Sequence, residues 1–105
     1  MKEISVQDLK KKIDDKEDFQ LIDVREEYEY DICNLNGELI PMAHVIDNAD
    51  KISRDKPVVI YCKSGRRSAV IINELENKFQ FTNLYNLKGG ILEYAREVDP
   101  SLDQY

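Results

Sequence analysis

Apolar and polar positions change their period several times along this chain. Val6, Leu9 and Ile13 recur at three- and four-residue steps, which predicts a helix over roughly residues 6–16. Ser5 stands where an N-cap belongs, and Asp8 three positions on completes a capping-box-like pair. FQLIDVR, residues 19–25, is short, apolar and β-branched, and predicts a buried strand. Residues 26–30 can form a short helical turn, and GELIP at 37–41 predicts a turn and a short strand stopped by Pro41. Ala43, Ile46, Ala49 and Ile52 share one face of a helix over 43–53. Pro57 opens the clearest strand, VVIY at 58–61, apolar throughout as a strand covered on both faces is. A helix follows over 67–79 and offers Val70, Ile71, Leu75 and Phe79 to the core. Another short strand lies within 81–87. Gly89-Gly90 then breaks the chain before a last helix over 91–98, closed by Asp99-Pro100. Only residues 100–105 read as disordered.

Strands that alternate with helices imply an open α/β sheet of parallel strands with right-handed crossovers. The 105 residues suffice for one domain, taken as 1–105, able to bury a core of its own. In such sheets the working loops lie beyond the carboxyl ends of the strands. Cys62 sits at such an end.

Charge changes the picture at one place. Fifteen Lys and Arg face twenty-one Asp and Glu, a net charge of −6, which argues against a nucleic-acid or anionic-membrane surface. The Lys10-Lys11-Lys12 run is balanced by Asp14, Asp15, Glu17 and Asp18 and reads as a solvated helix face. The first dozen residues lack the apolar core of a signal peptide, and no apolar run nears the ~20 residues of a membrane span. The expected location is the cytoplasm, and the absence of an obvious apolar surface stripe predicts a monomer. Two cysteines, Cys33 and Cys62, are too few for a disulfide scaffold or structural zinc, so both are expected as free thiols. Against this acidic background, CKSGRRS at 62–68 gathers Lys63, Arg66 and Arg67 beside a thiol.

The amides of a loop leading into a helix have no intrahelical partners. Gly65 permits the positive φ that turns them inward, and the helix dipole adds partial positive charge. Residues 62–68 therefore predict an anion cradle with a thiol at its floor. The same field favours thiolate, the nucleophilic form. The opposing interpretation is a buried structural cysteine followed by a solvated basic loop. The combination of strand, Cys, Gly, two Arg, Ser and helix favours the first.

CKSGRRS resembles the active-site loop of rhodanese-type sulfurtransferases. LIDVR at 21–25 resembles that family's second-strand motif, LKGGI at 87–91 its C-terminal glycine motif, and 27–41 the connection between. The resemblance covers Ile4 to about Pro100 and implies a three-layer fold with a five-stranded parallel sheet flanked by helices. It implies that Cys62 takes up a sulfane sulfur as a persulfide and passes it to a thiophilic acceptor such as cyanide, a thiol or a protein. Lys63, Ser64, Gly65, Arg66, Arg67 and Ser68 would bind a small anionic donor such as thiosulfate. Asp23 and Arg25 would support the fold and the loop; no metal or organic cofactor is required. Cysteine phosphatases place their arginine six positions after the cysteine, where this chain has Ser68, so the shorter loop argues for sulfur rather than phosphate. The stretch DICNLNGELIP at 31–41 replaces a Gly-His-Ile-Pro-Gly-Ala type segment and looks like the rhodanese domains fused to the adenylyltransferases of sulfur-carrier proteins. That variant implies a protein donor or acceptor. The resemblance gives no catalytic role to Cys33 or to His44, the sole histidine, and a packing role to Tyr94.

Overall fold

Ser5 caps the first helix as its position predicts: its Oγ accepts the Asp8 amide at 3.0 Å. In this computed structural model, which describes residues 1–105, the helices are α1 (Val6–Asp14), α2 (Glu27–Ile32), α3 (Arg66–Phe79) and α4 (Gly90–Glu97). The strands are β1 (Glu3–Ile4), β2 (Gln20–Asp23), β3 (Glu38–Leu39), β4 (Val58–Tyr61) and β5 (Leu84–Leu87). They form one five-stranded sheet in the order β1-β5-β4-β2-β3, parallel at every pairing. This is the α/β architecture expected from the alternation of elements.

β4 is the middle strand, and all four of its residues are fully buried. Successive side chains of a strand point to opposite faces. Val58, Ile60 and Cys62 accordingly join the core cluster beneath α3, with Ile71, Ile72 and Leu75. Val59 and Tyr61 join the opposite cluster with Leu9 of α1 and Ile91 and Tyr94 of α4. One short strand thus joins two cores, and Cys62 follows directly at its carboxyl end.

Four expectations need correction. β1 was not foreseen, because two residues carry no period; it pairs Glu3 with Asn86 and Ile4 with Leu87 on the sheet edge. Residues 43–53 are not one helix but two 3-10 segments, Met42–His44 and Ile46–Lys51, with a kink at Asn48. The Asn48 side chain donates through Nδ2 to the His44 carbonyl at 2.7 Å, a local bond that competes with helix continuation, and Ala43 is exposed. Val70 is 47% exposed, because the inward face of α3 runs through Ser68, Ile71, Ile72 and Leu75. The tail over 100–105 is ordered: Leu102 and Tyr105 pack on the α1/α4 side of the sheet.

Candidate active site

The chain leaves β4 at Tyr61 and enters α3 at Arg66, so residues 62–65 must turn within one tight loop. Gly65 makes this possible at φ +96°, a left-handed value that L side chains adopt only with strain. The turn folds the loop back over Cys62. The Gly65 amide donates to Cys62 Sγ at 3.1 Å and the Ser68 amide at 3.4 Å. The amides of Lys63, Ser64, Arg66 and Arg67 donate to no protein acceptor. Cys62 itself is 1% exposed and lies beneath the loop, against the Gly65 and Ser68 amides. Neither of the two surface clefts includes it.

The other wall is the start of α4. The Ile91 and Leu92 amides donate to the Cys62 and Lys63 carbonyls at 3.0 and 3.1 Å. Backbone therefore meets backbone, and Gly90, at φ +64°, lies where no side chain fits.

The three cations diverge. Arg67 makes two bonds to Glu29 of α2, at 2.7 and 2.9 Å. Arg66 is exposed and has no carboxylate partner. The Lys63 ammonium lies 4.2 Å from the ring centre of Tyr105. Behind them Asp23, at the end of β2, accepts both the Arg25 amide and its guanidinium. Arg25 also donates to the carbonyls of Glu29 and Cys33 and to the Tyr105 hydroxyl, and both Asp23 and Arg25 are fully buried. Burial opposes the Arg25 charge, but Asp23 and Tyr105 more than restore it, so the guanidinium stays protonated. Ser68 Oγ lies 3.4 Å from Cys62 Sγ and donates to Asn86 Oδ1 at 2.5 Å.

Glu29, Tyr105 and Asn86 escaped the sequence reading. Glu29 had a faint signal, since its carboxylate caps its own helix by accepting the Glu26 amide at 3.1 Å. Asn86 is a polar residue inside the apolar strand LYNL. Tyr105 had none: only the fold brings it to within 2.6 Å of Glu29. Cys33 is buried after α2 and His44 is exposed. No three His, Cys, Asp or Glu side chains converge where they could hold a metal ion.

The Arg67 guanidinium, helped by the Tyr105 hydroxyl and opposed by burial, lowers the Glu29 carboxyl to about 2. A depressed folded value stabilises the fold above the unfolded value of 4.5, and the contribution fades as pH falls through about 2. Glu29→Gln is expected to cost about 2 kcal/mol at pH 6, allowing for the half-open arginine. The cost should shrink in urea titrations at pH 3. A mutant whose deficit stays constant with pH would contradict this assignment.

A model of the rhodanese-like domain matches residues 5–97, and the chain belongs to that family. It is 35% identical to the rhodanese-like/PpiC domain-containing protein 12, chloroplastic, of Arabidopsis thaliana, across 100% of this chain and 38% of that protein. It is 33% identical to the probable adenylyltransferase/sulfurtransferase MoeZ of Mycobacterium tuberculosis, across 97% of this chain and 26% of that protein. The chain thus spans well under half the length of these relatives. The crystal structure of a rhodanese-like domain protein from Staphylococcus aureus superposes with a TM-score of 0.82 at 29% identity, covering 100% of this chain and 99% of that one. No helix here is long and apolar enough to cross a membrane.

Proposed function

We propose that this domain is a sulfurtransferase that moves a sulfane sulfur through a persulfide on Cys62. The observation that carries the reading is the pair of loop amides, of Gly65 and Ser68, that donate to Cys62 Sγ in a loop whose other amides have no protein acceptor. The Cys62 thiolate attacks the outer sulfur of a donor such as thiosulfate. An S–S bond forms to Cys62, and the donor's S–S bond breaks with its electron pair leaving on sulfite. The charge then rests on the outer sulfur of the persulfide, where free loop amides can hold it. An attacking cyanide, thiol or protein thiolate takes that sulfur and returns the Cys62 thiolate, a double displacement. Arg66, the arginine without a carboxylate partner, is the cation best placed to meet the oxyanion of the donor, and Lys63 the next. The domain would act as a monomer in a reducing compartment such as the cytoplasm, where Cys62 stays a thiol.

A second reading rests on the relatives. MoeZ carries both adenylyltransferase and sulfurtransferase in its name, and this domain matches only about a quarter of it. A module of that kind would relay sulfur between proteins and turn thiosulfate over slowly.

Intact-protein mass after incubation with thiosulfate tests both. Wild type should gain one sulfur atom (~32 Da), removable by reductant or cyanide, and Cys62→Ser should gain none. A gain only from a protein persulfide donor supports the relay. No gain from either donor, or an equal gain in Cys62→Ser, sinks persulfide transfer at this cysteine.

A further inference from the structure

Two hydrogen-bond acceptors compete for one proton under the active-site loop. Ser68 Oγ has a single hydrogen, with Asn86 Oδ1 at 2.5 Å and Cys62 Sγ at 3.4 Å. The orientation of the Asn86 amide follows from its other end, because Nδ2 donates to the Gly65 carbonyl at 3.0 Å. Rotating that amide by 180° would set oxygen against oxygen at Gly65. Asn86 is 4% exposed, and its backbone N–H donates to the Lys2 carbonyl across the sheet, which holds it in place.

We propose that Asn86 is a positioning residue for Cys62: it takes the Ser68 proton and so turns a lone pair of Ser68, not a donor, toward the sulfur. The resting thiol then gives its S–H to Ser68 Oγ, while the thiolate is held by the Gly65 and Ser68 amides alone. A thiolate with two donors instead of three has a higher pKa and is the better nucleophile. In a persulfide the inner sulfur is neutral and needs no third donor. Asn86 therefore favours the loaded state over the free thiolate. That last consequence rests on the sulfur-transfer reading; the proton assignment does not.

The charged and titratable groups on this side of the loop are Lys63, Arg66 and Arg67, with Glu29, Arg25 and the neutral Tyr105 phenol behind Arg67. Neither Asn86 nor Ser68 bonds to any of them, so substitutions here change the local donors and leave that field alone.

The test is the Cys62 thiol pKa, read from its 13Cβ shift in cysteine-labelled protein and assigned with Cys62→Ser. Asn86→Leu, which keeps the branch at Cγ but has no acceptor, frees the Ser68 proton to reach the sulfur. Its thiol pKa should fall by about one unit, a tenfold gain in thiolate. Ser68→Ala should not raise the pKa, since its proton was never on the sulfur. The double variant should match Ser68→Ala. At a pH above both values, persulfide loading in Asn86→Leu should slow about threefold. A rise in Ser68→Ala, or an unchanged or raised pKa in a folded Asn86→Leu, overturns the proposal. Should Asn86→Leu fail to fold, Asn86→Ala carries the same expectation, and Ser68→Ala alone still decides where the proton lies. Should no variant or wild type load sulfur, the transfer reading fails while the thiol pKa values still judge Asn86.

Discussion

Gly90→Ala is expected to destabilise this domain by 3 kcal/mol or more, roughly a third of the stability of a domain of this size. A methyl group on Gly90 would stand 2.3 Å from the Lys63 carbonyl oxygen, 2.5 Å from its carbon and 2.6 Å from the Cys62 oxygen. These are backbone atoms of the active-site loop, held by the Ile91 and Leu92 amides, and have no rotamer to turn away. The left-handed φ of +64° adds about 1–2 kcal/mol for any L side chain. Relief requires α4 to back away from the loop, which breaks both amide bonds and loosens the wall behind Cys62. Gly65→Ala is the control: a methyl there meets nothing closer than 3.5 Å, so only the backbone term of about 1–2 kcal/mol applies. Urea denaturation separates the two. Equal losses would mean that the loop yields to Gly90 more readily than its hydrogen bonds imply.

This contrast also marks what could be read before the fold was known. Both glycines stood out as breaks beside helices, and Gly65 was rightly given the positive φ its loop needs. That Gly90 forbids a side chain depends on Cys62 and Lys63, about thirty residues away, and no local pattern carries it. The same division runs through the site. Cys62 at a strand end and the loop cations lie in a run whose chemistry is local, whereas Asp23 and Arg25 were named through the family resemblance. Glu29 against Arg67, Asn86 under Ser68 and Tyr105 against Arg25 and Glu29 are bonds spanning 38, 18, 80 and 76 positions. Element types followed the apolar pattern where it was long, as in α3, or unbroken, as in β4. They failed at β1, whose two residues have no glycine or proline beside them as β3 has Gly37 and Pro41, and where Asn48 offered the backbone a local alternative to a helix.

Arg25→Ala is expected to cost still more, about 3–5 kcal/mol, because it leaves the Asp23 carboxylate buried without its partner. Arg25 makes contacts that no other residue type reproduces. Its planar fork reaches both Asp23 oxygens, the Glu29 and Cys33 carbonyls and the Tyr105 hydroxyl, in a fully buried space. Lysine offers three donors from one point and cannot span these acceptors, so Arg25→Lys should recover less than half of the loss. The loss should also spread outward. Without Arg25, the Tyr105 phenol loses its donor, and Glu29 is then fastened by Arg67 from one side only. The mouth of the loop should therefore loosen even where the sheet survives. Removing both charges tests whether the pair stabilises the fold or merely tolerates burial. Two charges in this site must each be stripped of water, so Asp23→Leu/Arg25→Met should be less destabilised than Arg25→Ala alone. Urea denaturation of the three variants gives the comparison. A double variant worse than the single one would show that Asp23 matters mainly for the bond it accepts from the Arg25 backbone amide, at 2.9 Å.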